Sequence, residues 1–182
     1  MQSILIRPAL LQDAPEIAAV HIAAWRSAYK GIVPQAYLNV LSYEDRKNMW
    51  TDILCRSNTA SMRFVAVDEH NSVIGFVAAG KPHDTELDFD AELYAIYLLP
   101  EYKGKGVGKQ LMLHIVQWLV QNNFHSLYAW VLEDNPSKSF YEKLHARLLD
   151  VKKPVEFDGR QLKLIEVVYV WKNLNELLMN LK

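Results

Sequence analysis

Three glycines within five residues, Gly104, Gly106 and Gly108, stand between a strand-like apolar run ending at Pro100 and a strongly amphipathic segment. The chain has only seven glycines among its 182 residues, so this concentration marks a place where the main chain needs freedom that a side chain denies. Downstream, Val107, Leu111, Ile115 and Leu119 recur every four residues, with Met112 and Val116 beside them. That is the pattern of a helix with one apolar face. A turn feeding such a helix aims consecutive N–H groups and the positive end of the helix dipole at one point, which suits a phosphate. Lys103, Lys105 and Lys109 add cations around it.

The rest of the chain supplies elements around this unit. Ile4 to Arg7 alternates like a strand, and Asp13 is expected to cap a helix with Pro15 in its first turn. Ile17, Val20, His21, Ala24, Trp25 and Ala28 share one face of that helix, which should stop near Tyr29. A second helical region spans about 35–54, with a break and a capping candidate at Ser42. Phe64 to Val67 and Val73 to Ala79 read as a hairpin, followed by a longer strand over 86–98. Leu127 to Leu132 is apolar on both faces, as in a central strand. Asn135-Pro136 is expected to open a helix to about Leu144, and two last strands should flank a tight turn at Asp158-Gly159. Leu174, Leu177, Leu178 and Leu181 make a short amphipathic tail helix over about 173–181, which could pack on its own core or join a homodimer. The unit over 86–132 should be a right-handed crossover between parallel strands, with antiparallel pairing elsewhere. The expected class is therefore α/β with a mixed sheet, in a single domain over 1–182.

Several function classes drop out on composition. A net charge of −1 gives no global attraction to nucleic acid or an anionic membrane. The uncharged stretch over 110–132 is broken by His114, Gln117, Gln121, Asn122, Asn123, His125 and Ser126, so it is not a membrane span. No export signal stands at the N-terminus, and with a lone cysteine, Cys55, a cytoplasmic location is expected. The six histidines are dispersed and Cys55 is alone, so no metal is expected.

Two familiar phosphate loops fail on spacing. A Walker A loop needs glycine at 103 and Ser or Thr at 110, where Lys103 and Gln110 stand; a dinucleotide fingerprint needs glycine at 109, where Lys109 stands. Instead, Lys103-Gly104-Lys105-Gly106-Val107-Gly108 resembles the Arg/Gln-x-x-Gly-x-Gly/Ala motif of the GNAT N-acetyltransferase superfamily, with lysine in the first place. The resemblance implies that amides of 103–109 hold the pyrophosphate of acetyl-CoA. It also implies that the main chain of Ile96-Tyr97-Leu98 meets the pantetheine arm.

A second stretch, Trp130 to Leu144, resembles the same family's strand–asparagine–helix motif and contains Phe140-Tyr141-Glu142-Lys143. By that match Asn135 contacts the pantetheine, Ser137 and Lys138 lie near the cofactor, and Tyr141 sits beside the thiol. A tyrosine suits that place, because a phenol pKa of about 10 is close enough to a thiol's of about 8.5 to return a proton to departing thiolate. The family has glycine after Phe-Tyr-Glu-Lys-Leu, where this chain has His145. A third stretch, His21 to Pro34, is similar to a bacterial subgroup with a His-x-x-x-Trp-Arg-x-x-Tyr-x-Gly signature. By that resemblance His21, Trp25 and Tyr29 wall the acceptor site, although the same spacing also describes a core stripe.

Asp84, Glu86, Asp88, Asp90 and Glu92 alternate with Leu87, Phe89, Ala91 and Leu93, which on an extended chain puts five carboxylates on one face. Asp84, Glu86 and Asp88 read as a solvated face. Glu92 lies in Glu-Leu-Tyr-Ala-Ile-Tyr, which resembles the family's catalytic strand, and is the candidate general base and acceptor contact. An amine with a pKa of about 10.4 is neutral in less than about one molecule in a thousand at pH 7, so a carboxylate that takes its proton and attracts its charge is useful. The expected activity is acetyl-CoA-dependent acetylation of a small cationic amine such as a polyamine. Protein N-terminal or lysine acetylation, and a non-catalytic acyl-CoA sensor, are the alternatives.

Overall fold

In the computed structural model, residues 4–56, 60–83, 86–157 and 160–182 are described. The chain runs β1 (Leu5–Pro8), α1 (Ala14–Ala28), α2 (Gln35–Asn39), α3 (Tyr43–Cys55), β2 (Ser61–Val67), β3 (Val73–Gly80), β4 (Ala91–Leu98), α4 (Val107–Gln121), β5 (Leu127–Leu132), α5 (Lys138–Lys143), β6 (Arg147–Phe157), β7 (Arg160–Trp171) and α6 (Leu174–Leu181). Among the described residues the strands form one sheet in the order β1-β2-β3-β4-β5-β7-β6. Only β4 and β5 pair in parallel, so the expected mixed sheet is what the chain builds.

The sheet is covered on both faces. On one, Val107, Leu111, Met112, Ile115, Val116 and Leu119 of α4 are buried in a cluster that includes Leu93, Ala129 and Tyr169. Leu174, Leu177 and Leu181 of α6 join that cluster, so the tail helix covers its apolar face on its own chain. On the other face, Ile17, Ala18 and Val20 of α1 and Trp50 of α3 pack on Val65, Phe76 and Ala78. No helix of the described residues is long and apolar enough to cross a membrane.

The strand expected over 86–98 begins only at Ala91. A strand needs a neighbour, and β3 ends at Gly80 opposite Glu92 while β5 begins at Leu127 opposite Ala91. Before that point Phe89 N bonds Leu87 O at 2.9 Å, and Asp90 bonds Ser126 and His125 instead of a ladder. The single acidic face is thus corrected to an irregular segment in which Glu86 and Asp88 are exposed; Asp84 lies outside the described residues. The turn expected at Asp158-Gly159 also lies outside them, between β6 and β7.

Two local expectations are corrected by competing hydrogen bonds, and one is met. Asp13 does not cap α1 through its side chain: its carboxylate takes Arg7 Nη1 and Nη2 at 2.7 and 2.8 Å and Leu10 N at 2.7 Å. The break and cap expected at Ser42 are both present: 35–54 is two helices, with Ser42 Oγ accepting from Asp45 N at 3.1 Å to start the second. Pro136 does not open a helix, because Asn135 Oδ1 accepts from Ser137 N at 2.8 Å and holds a turn, so α5 begins at Lys138.

His145, where the family pattern has glycine, adopts φ +59°. Its left-handed backbone ends α5, with Ala146 N bonding Tyr141 O at 3.0 Å. Relief of that conformation, about 1–2 kcal/mol, is partly offset by the extra freedom glycine has when unfolded, about 0.4–1 kcal/mol. His145→Gly is therefore expected to raise Tm by about 1–2 °C in a thermal melt. A lowered Tm would mean that the imidazole makes a stabilising contact.

Candidate active site

The cleft starts where β4 and β5 part. They pair only at Ala91↔Leu127 and Glu92↔Tyr128. Beyond that rung β4 follows β3 and β5 follows β7, leaving the β4 edge that faces β5 without a ladder. Tyr94 is an extra residue in β4, since Ala78 pairs with Ala95 and Ala79 with Leu93. Such a bulge re-aims a strand. Leu93 before it and Ile96 and Leu98 after it pack toward α4, while Tyr94, Ala95 and Tyr97 turn toward α1.

At the end of β4 the chain passes a short 3-10 turn, Pro100–Tyr102, and enters the glycine segment. Gly104 and Gly106 have φ +75° and +82°, and a Cβ on either would meet nothing within 4 Å. Left-handed backbone here directs amides outward at the start of α4. Among the described residues, the N–H groups of 104–109 donate to no carbonyl outside regular structure, whereas Gln110 N already bonds Gly106 O at 3.1 Å. Gly108 has a different reason: a Cβ there would lie 3.1 Å from Phe140 Cε2, so its absence lets α4 approach α5 closely. Open amides, left-handed glycines and exposed Lys103, Lys105 and Lys109 fit a bound pyrophosphate.

Across the gap, Asn135 is 6% exposed, and its Oδ1 is committed to the Ser137 turn. Lys138 turns its ammonium onto the carbonyl of Glu133. Tyr141 is half-buried, its ring stacked on Tyr169 at 5.7 Å and tilted against Trp171 at 6.1 Å. Burial, with Tyr97 nearby, pushes the Tyr141 phenol above its ordinary value and keeps it protonated.

The α1 side is an aromatic wall. The hydroxyls of Tyr29 and Tyr97 lie 3.2 Å apart, and the Trp25 ring packs edge-on against Tyr29 at 5.0 Å. His21 sits behind this wall, 8% exposed and stacked on Tyr97 at 5.1 Å. Its Nδ1 accepts from Trp50 Nε1 at 3.2 Å, and burial, with Arg46 nearby, lowers its pKa to about 3. His21 is therefore neutral, with the lone pair of Nδ1 already used. It backs Tyr97 and does not line the cleft.

Glu92, at the vertex where the strands part, is tightly held. Its Oε2 lies 2.8 Å from His83 N and 3.0 Å from His83 Nδ1, and it accepts from the Tyr128 hydroxyl at 3.2 Å. Tyr94 packs on His83 at 4.5 Å, and burial, then Glu92, raises its phenol to about 12.

A second carboxylate, Glu166, escaped the sequence reading. It sits in β7 opposite Leu132, on the face that carries Val168 and Val170 and, across β5, Tyr128 and Trp130. Burial raises its carboxyl, Lys153 opposes that, and Glu92 adds to it, so the two carboxylates feel one another. Tyr29 and Tyr97 feel its charge too. The signal available was one charge inside the apolar run Leu164-Ile165-Glu166-Val167-Val168-Tyr169-Val170.

Residues 22–146 match the model of the Acetyltransferase (GNAT) family. An uncharacterized N-acetyltransferase of Bacillus subtilis, YuaI, is 37% identical over 174 residues, covering 96% of each chain. A Haemophilus influenzae N-acetyltransferase acting on an alanine of ribosomal protein bS18 is 31% identical over 105 residues, 56% of this chain and 68% of that one. A Thermoplasma acidophilum spermidine N(1)-acetyltransferase is 26% identical over 147 residues, 78% of this chain and 86% of the relative. Among solved structures, the PaiA N-acetyltransferase of T. acidophilum in complex with coenzyme A superposes with a TM-score of 0.72 at 25% identity, covering 93% of this chain and 99% of that one.

Proposed function

The chain belongs to the GNAT family of N-acetyltransferases, and from that premise we propose that it transfers the acetyl group of acetyl-CoA to a primary amine of a small cationic molecule, polyamines being the chemistry that fits best. The observation that carries this reading is the pair of carboxylates, Glu92 and Glu166, sharing one sheet face with Tyr97 and Trp130 beside the opening between β4 and β5, with Tyr29 at the end of α1 reaching Tyr97. Negative charge framed by aromatic rings recognises ammonium groups. The spermidine-acetylating relative points the same way.

Each residue has a task under this reading. Acetyl-CoA supplies the activated acetyl thioester. Amides and lysines of Lys103, Gly104, Lys105, Gly106, Val107, Gly108 and Lys109 bind its pyrophosphate. The free edge of Ile96, Tyr97 and Leu98 orients the pantetheine, with Asn135, Ser137 and Lys138 on the far side. Glu92 takes the amine's proton, directly or through water, while Tyr141 returns a proton to sulfur. Trp25 and Tyr29 shape the acceptor wall, in keeping with the N-terminal signature, and His21 acts through Tyr97. The domain is a single one, working where acetyl-CoA is made and used, in the cytoplasm.

A thiol-release assay with acetyl-CoA tests the reading. Spermidine is expected to accelerate CoA release, and Glu92→Gln to lower kcat/KM about a hundredfold and flatten its acid limb, as loss of a general base does. Acetylation of a protein N-terminus is the second reading, favoured by the H. influenzae relative, so a peptide beginning with alanine belongs in the same assay. A preference for that peptide overturns the polyamine assignment. Acetyl-CoA binding without amine-dependent release points to a sensor.

A further inference from the structure

The acceptor face already holds an ammonium. Lys153 stands opposite Glu166 in the β6–β7 ladder. Its Nζ lies 3.8 Å from the centre of the Trp130 ring and 3.8 Å from Glu166 Oε2. An aromatic face and a carboxylate on the same cation make a complete ammonium site. The indole N–H of Trp130 is buried without an acceptor among the described residues, so the ring is fixed by packing, not by a bond of its own.

The frame and its occupant differ in mobility. Trp130 is held opposite Val168, and Glu166 opposite Leu132, by the β5–β7 ladder. Neither position depends on Lys153. The Lys153 side chain is 41% exposed on a four-carbon stem, and it can swing into solvent at the cost of an ion pair that exposure makes weak. Glu166, at 26% exposure and close to Glu92, is the group that needs a cation whenever no acceptor is bound.

We propose that Trp130 and Glu166 form a subsite for the distal ammonium of a di- or polycationic acceptor, and that Lys153 is its tethered stand-in, displaced when such an acceptor docks. This rests on the cationic-amine reading above and adds how the site selects. The exchange replaces one cation by another, so the free protein never carries an uncompensated half-buried carboxylate. A monoamine, with its one nitrogen at the reacting centre, has nothing with which to displace Lys153. A diamine of suitable length has. Lys153 thereby weakens every acceptor that must displace it, which sets a threshold on acceptor charge.

The test is calorimetric titration of 1,4-diaminobutane and n-butylamine into the unmodified protein and Lys153→Met, which keeps the apolar stem over Trp130 and removes the charge. Removing the competitor is expected to tighten diamine binding about tenfold, the scale of a partly desolvated cation–π contact, and to raise the diamine-to-monoamine affinity ratio equally. Adding Glu166→Gln to Lys153→Met is expected to reverse the gain. Diamine binding that is unchanged or weaker in Lys153→Met, or undetectable in both proteins, overturns the proposal. The titration needs no turnover. A tightened Kd with no amine-dependent CoA release would therefore sustain the subsite and sink the enzymatic reading, and the converse would do the opposite.

Discussion

Tyr141→Phe is expected to lower kcat about a hundredfold while KM for acetyl-CoA moves less than about twofold, the signature of a lost general acid. The substitution is clean. The ring keeps its stacking on Tyr169 at 5.7 Å, and the hydroxyl makes no hydrogen bond with a described residue, so Tm should hold within about 1 °C. Burial raises the phenol above its ordinary value, with Tyr97 adding to it, so the proton-donating form persists past pH 10. The unsubstituted enzyme should then show no alkaline loss of kcat from this group below about pH 10. A change confined to KM would assign Tyr141 to packing against the donor, and an unchanged kcat would remove it from the chemistry.

Gly75→Ala should be among the most damaging methyl additions in the fold. A Cβ at Gly75 would lie 2.2 Å from Leu98 Cδ2 and 2.9 Å from Tyr97 O. Leu98 could rotate, but a main-chain carbonyl in the β3–β4 ladder cannot, so β4 must move away from β3. Overpacking of this kind costs about 2–3 kcal/mol, which lowers Tm by about 4–10 °C in a chain of this length. The same displacement carries Tyr97 and Leu98 toward the gap, so KM for acetyl-CoA should rise severalfold. A thermal melt and a donor titration check both. A stable variant with an unshifted donor KM would show that β4 has more slack than the ladder indicates.

The candidate donor half of the site could be read from sequence because its parts are contiguous. The glycine segment, its lysines and the four-residue repeat of α4 lie within 103–119, and each has a local physical reason to be there. The Asn135–Tyr141 segment is legible in the same way. Local reading failed where a residue had a better partner far away. Asp13 has the composition of a helix cap and bonds Arg7 instead. Glu86 to Asp90 have strand alternation and no neighbouring strand to pair with. For His21 the spacing left a core stripe and an acceptor wall equally open, and its place under Tyr97 with Trp50 on its Nδ1 follows the first.

Sequence alone pointed to the family through its motifs, and to the mixed α/β architecture and the glycine turn before α4 because main-chain freedom and helix periodicity are properties of neighbouring residues. Tertiary structure decided which residues meet on the face proposed for the acceptor. Glu92, Trp130, Lys153 and Glu166 lie on four different strands, and their arrangement follows from the parting of β4 from β5 and from the β5–β7–β6 registers. Cation recognition depends on distances across the sheet of a few ångströms, set by ladder register, and register is the property a one-dimensional pattern leaves open.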